Sequence, residues 1–103
     1  MDNNGVFFIT AFEKLPEDNH YDIGSSRCFG YYNEFEEADK AVKENRCDLR
    51  EYVYSYVIIE EINAGIHSYP SKRWLYQWDN KKAGFYPIEE KGKIENLCNF
   101  AIG

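Results

Sequence analysis

Apolar and aromatic residues fall in short runs along the chain, and their spacing separates strands from helix. Gly5-Val6-Phe7-Phe8-Ile9-Thr10-Ala11-Phe12 is β-branched and aromatic, which predicts a strand. Its unbroken apolarity predicts a central strand with both faces at least partly covered. Lys14 to His20 holds Pro16 and polar turn formers, so a loop is expected there. Ser26-Arg27-Cys28-Phe29-Gly30-Tyr31-Tyr32 reads as a second strand, in which Gly30 marks a bulge or a close backbone approach.

The period then changes from two to 3.6. Phe35, Ala38, Ala41 and Val42 share one helical face. Asn33 is the expected N-cap, with Glu36 three residues on to complete a capping box. Glu36–Lys40 and Asp39–Lys43 are i,i+4 pairs in the favourable order, and the helix should end near Asn45 or Arg46. Asp48 to Glu51 reads as a turn or a short helical piece.

Val53 to Ile62 is a strong strand, broken by Asn63-Ala64-Gly65, and Pro70 keeps the next residues irregular. Arg73-Trp74-Leu75-Tyr76-Gln77-Trp78 alternates large aromatics with other residues and is a strand. Asp79 to Gly84 is a hairpin loop, and Phe85 to Ile88 a short return strand. Pro87 cannot donate to a ladder, so that strand should lie at an edge or end there. A turn or short helix near Ile94–Leu97 follows. The apolar ending Cys98 to Gly103 should pack back onto the domain.

One helix cannot cover both faces of such a sheet. The expected fold is therefore α+β: a twisted, mostly antiparallel sheet of about five strands with one main helix on one face. The connection through the helix is long enough for a parallel crossover. The other face would expose aromatic side chains unless loops or a partner cover them. At 103 residues, the chain is expected to be a single globular domain, 1–103.

Composition narrows the function classes. The net charge of −6 weighs against grip on a nucleic-acid backbone, so no direct nucleic-acid binding is expected. No apolar run is long enough to span a membrane, and Met1 to Gly5 lacks the features of a signal peptide. A cytoplasmic location, in a host bacterial cytosol, is the expectation. Cys28, Cys47 and Cys98 form no C-x-x-C and are expected to be reduced, small, buried side chains.

Motifs for chemistry are sparse. Asp18, His20 and Asp22 alternate beside Glu17, but as a calcium loop the sequence fails, with Ile23 at position 6 and Phe29 at position 12. A solvated polar loop and no metal are expected. Cys28 and His20 could meet, yet no third group is marked to orient the imidazole, and His67 lies alone. Gly24-Ser25-Ser26 is not a nucleophile elbow. Phosphate-loop motifs are absent, and no cofactor is expected.

Nine Tyr, seven Phe and two Trp make aromatic content the unusual feature. Trp74, Tyr76 and Trp78 share one face of their strand. Beside Lys72 and Arg73, with Arg50 as a further phosphate partner, they could stack nucleotide rings while the cations meet phosphate. The same stripe also fits a helix-facing core layer. The acidic residues, among them Glu34, Glu36, Glu37 and Asp39, read either as a decoy for a basic partner or as a solvated face.

The run Arg27 to Tyr32 leads into the acidic helix, and Tyr56-Val57-Ile58-Ile59-Glu60-Glu61 comes after it. Arg73 to Trp78, Tyr86-Pro87-Ile88-Glu89-Glu90 and the ending Asn99 to Gly103 complete a pattern. It resembles a set of small uncharacterised proteins carried by phages and mobile elements of gut Firmicutes. The resemblance spans nearly the whole chain and implies context, not site residues: stoichiometric binding against a bacterial defence pathway.

The leading expectation is thus a non-enzymatic binding protein, phage-encoded, that sequesters a small nucleotide signal through Lys72, Arg73, Trp74, Tyr76, Trp78 and Arg50. One alternative is an acidic protein-interaction inhibitor that blocks a host defence protein directly. Another is a small enzyme with unmarked chemistry. A homodimer that buries spare aromatic surface is a further expectation.

Overall fold

The computed structural model describes residues 5–17, 22–65, 70, 72–89, 94, 97, 98, 100 and 101. Five strands and one helix follow in the order β1 (Val6–Phe12), β2 (Ser26–Tyr32), α1 (Phe35–Lys43), β3 (Tyr56–Ile62), β4 (Lys72–Asp79) and β5 (Gly84–Pro87). The strands form one open sheet in the spatial order β2-β1-β3-β4-β5, and every ladder is antiparallel. The fold is α+β.

β2 and β3 both run antiparallel to β1, one on each side of it, so they are parallel to one another. A hairpin cannot join parallel strands, and α1 with the segment after it carries the crossover over one face of the sheet. Phe7, Ile9 and Ala11 of β1, Val57 and Ile59 of β3, Tyr76 of β4 and Phe85 of β5 point to that face. They pack against Ala38, Ala41 and Val42 of the helix. The apolar helix face read from the sequence is therefore the one buried.

The helix starts differently from the expectation. It begins at Phe35 with Glu34 at the N-cap, and no side chain caps the first turn. Asn33 lies one residue too early, so the capping box does not form. Glu36 and Glu37 in the first turn still meet the positive end of the macrodipole. Of the two charge pairs, Asp39–Lys43 closes at 3.1 Å.

The other sheet face is not bare. Phe12, Ile58 and Leu75 are buried beneath Leu15, Ile23, Ile88, Ile94, Leu97 and Phe100. Loop and C-terminal segment thus supply a third layer, and the described part of the apolar ending does pack back. β5 lies at the sheet edge and ends at Pro87, as a strand lacking one ladder donor should.

All three cysteines are free and exposed, contrary to the expected burial. Cys28 sits on the edge strand opposite Thr10, Cys47 lies in the turn after α1, and Cys98 in the C-terminal segment. None belongs to either buried cluster.

Candidate functional site

The expected bulge at Gly30 is the feature that builds a site. In the β1–β2 ladder, Gly30 pairs with Ile9 and Cys28 with Thr10, which leaves Phe29 without a partner. Gly30 has φ 139°, in the region that favours glycine. Side chains alternate, so Arg27 and Tyr32, five positions apart, would fall on opposite faces of a regular strand. The extra residue corrects the phase. Arg27 pairs with Ala11 and Tyr32 with Phe7, both on the helix side of the sheet.

The facing wall comes from the chain after α1. Asn45, Cys47, Asp48, Glu51 and Tyr52 all have left-handed backbone, with φ of 51°, 58°, 52°, 49° and 60°. Asn and Asp tolerate this conformation, but Cys, Glu and Tyr adopt it at a cost. The loop is held by the Asn45 side chain, which accepts from the Arg50 amide at 3.0 Å. Leu49, buried in the core, anchors it from below.

Between the walls lies a cavity of about 480 Å³, whose lining includes Arg27, Phe29, Tyr32, Arg46, Cys47 and Glu51. That size suits a small organic ligand. Each guanidinium sits over a ring: Arg27 lies 4.7 Å from the Phe29 centroid, and Arg46 lies 5.8 Å from that of Tyr32. Arg46 donates to the Tyr32 hydroxyl at 2.8 Å and to Glu44 at 2.9 Å. The Glu44 contact first, then Tyr32, raise the Arg46 pKa above its already high ordinary value. Arg27 is ion-paired with Glu51. An arginine offers five donors, so both keep donors for a ligand.

The residues expected to form a nucleotide site do not converge. Lys72 is exposed at the start of β4. Arg73 points to the opposite face from Trp74, where it meets Glu60 at 3.2 Å and donates to the carbonyls of Ile94, Leu97 and Cys98. Trp74 packs on Phe35 and Phe7, with centroids 4.4 and 5.9 Å away. Tyr76 is buried and donates to Asp39 at 2.6 Å. The stripe is thus the core layer beneath α1. Its far end differs: the Arg50 guanidinium lies 4.5 Å from the Trp78 ring, and both bond Asn80.

The chain matches no protein family, no curated protein and no solved structure.

Of the suspected metal loop, Asp18 and His20 lie outside the described residues, as does His67. Asp22 pairs with Lys14 at 3.3 Å and accepts from the Gly24 amide at 2.8 Å. No helix among the described residues is long and apolar enough to cross a membrane. The cleft residues were all visible in the sequence, but only the glycine inside β2 hinted at them. Strand alternation alone separates Arg27 from Tyr32.

Proposed function

We propose that the protein is a binding protein that captures a small anionic, aromatic ligand of nucleotide class in the cleft between β2 and the loop after α1. The observation that carries this reading is the paired arrangement of Arg27 over Phe29 and Arg46 over Tyr32 at one cavity. Guanidinium groups match phosphate oxygens in geometry and charge. Rings and guanidinium planes both stack on bases. The strained loop backbone supports the same reading, since such strain collects at ligand clamps. Arginines and a phenol bind and orient an anion, which favours capture over turnover. In a phage-borne inhibitor, capture of this kind would deplete a nucleotide signal of bacterial defence.

The test is the melting temperature of the protein against linear and cyclic nucleotides. A ligand at 100 times its dissociation constant adds about 2.7 kcal/mol. In a domain of this size that is a rise of roughly 10–20 °C. The rise should shrink sharply in Arg27→Ala and in Arg46→Ala, each of which leaves one guanidinium in the cleft and removes an exposed side chain with little loss of stability. If no nucleotide shifts the wild type, or if both variants still respond fully, the cleft is not the site.

A further inference from the structure

One wall of the cleft already holds an anion against the other. Arg27 rises from β2, lies over Phe29, and ends on the carboxylate of Glu51 in the facing loop. Glu51 itself has left-handed backbone, with φ 49°, so the loop accepts conformational cost while presenting this side chain. Glu44, the acidic partner of Arg46, is not among the residues that line the cavity, whereas Glu51 is.

We propose that Glu51 is an internal competitor for the ligand: its carboxylate occupies Arg27 in the empty cleft and is displaced when a phosphate monoester binds. The inference rests on the cleft being the binding site. The Arg27 and Glu51 side chains are 60% and 30% exposed. Ion pairs this accessible are weak, because water screens them and two long side chains must be held still. Such a contact orders Arg27 without resisting a stronger anion. A ligand carboxylate would only replace like with like. A phosphate monoester carries close to two charges at neutral pH and three acceptor oxygens, so it gains on exchange. Glu51 thereby selects for a terminal phosphate and sets how much of it is needed.

The test is calorimetric binding of AMP and of adenosine to the wild type and to Glu51→Gln, at low ionic strength. Removing the competitor should tighten AMP about two- to fivefold, the range an exposed ion pair spans, and leave adenosine unchanged. The gain should disappear in the Arg27→Ala background, because Glu51 then has no guanidinium to occupy and Arg46 is paired with Glu44 instead. Glu51→Ala is a second variant with the same expected direction, and the melting temperature checks that each is folded. Equal or weaker AMP binding by both Glu51 variants, with the wild type binding normally, overturns the competitor and leaves the cleft assignment standing. AMP binding by none of these proteins overturns the cleft as a mononucleotide site, and the competitor with it.

Discussion

Glu60 and Arg73 stand opposite one another on β3 and β4, and most of their hydrogen bonds go to the C-terminal segment. The Glu60 carboxylate accepts from the Phe100 amide at 2.9 Å and the Ala101 amide at 3.1 Å. Arg73 donates to the carbonyls of Ile94 at 2.7 Å and Cys98 at 2.8 Å, and to that of Leu97. The Glu60 side chain is wholly buried and that of Arg73 is 9% exposed. The pair is a clasp that satisfies backbone groups of a segment whose described residues belong to no strand or helix.

Removing one partner should therefore be severe. Glu60→Ala or Arg73→Ala leaves a buried charge unpaired and should cost about 3–5 kcal/mol. That is a large share of the stability of a small domain. Buried ion pairs can often be replaced by apolar residues without loss. Here the double change Glu60→Leu with Arg73→Leu should remain destabilising, because two amides and three carbonyls lose their partners. Urea unfolding measures both effects. A double variant as stable as the wild type would show that the clasp is dispensable.

Burial, the largest influence, pushes the Glu60 carboxyl above its ordinary 4.5, and the Phe100 amide and then the Arg73 charge pull it partly back. The folded state then binds that proton more tightly than the unfolded state. This group's contribution is greatest below 4.5 and declines as pH rises through the raised value. In Glu60→Gln that component of the pH dependence should be gone, as stability measured along an acid titration would reveal.

Tyr76 adds a second pH effect at the alkaline end. Burial first, and its hydrogen bond to Asp39 second, hold its proton well above the ordinary value of 10.0. Above that pH the unfolded chain loses a proton that the folded chain keeps. Stability from this group should fall by about 1.4 kcal/mol per pH unit. Tyr76→Phe should remove the alkaline slope, and lower stability at neutral pH by about 1–3 kcal/mol by taking away one of the two donors to Asp39, with Lys43 left as the other. Chemical denaturation from pH 9 upward distinguishes the two proteins.

Local sequence carried the elements well. β2 runs from Ser26 to Tyr32 as its composition indicated, and Phe35, Ala38, Ala41 and Val42 bury the helix face that their spacing marked. These features depend on alternation and period, which neighbouring residues alone encode. The site was harder to read because its parts are joined by tertiary structure. Arg73 reads as a surface cation beside an aromatic stripe, and only the docked C-terminal segment makes it a buried donor to three carbonyls. Arg27 and Tyr32 share a face only because Phe29 is looped out. The left-handed backbone at Cys47 and Glu51 has no sequence signal at all.

Trp74 separates the two sites by experiment. As a member of an exposed nucleotide platform, it could be removed with the fold intact. Packed on Phe35 and Phe7, it is instead part of the helix–sheet contact. Trp74 is partly buried, so Trp74→Ala should cost about 1–3 kcal/mol, less than deleting a fully buried ring. The melting temperature without ligand reads this directly. A fall of only a degree or two would return Trp74 to the list of binding residues.

Gly30 ties the proposed cleft to one backbone conformation. A Cβ built there meets nothing within 4 Å, so Gly30→Ala meets no steric clash. Its cost is conformational, because φ 139° is rarely open to a residue with a side chain. The substitution should therefore destabilise by about 1–3 kcal/mol while the bulge holds. The chain can relieve that strain by closing the bulge, but a shift of one residue sends every side chain beyond it to the other face. Arg27 would then leave the helix side and part from Tyr32. Gly30→Ala should thus weaken AMP binding far more than its loss of stability accounts for, whereas Glu61→Ala, on β3 away from the cleft lining, should leave binding unchanged. Calorimetry on both variants decides it: undiminished AMP binding in a folded Gly30→Ala protein would mean that the bulge does not set the cleft.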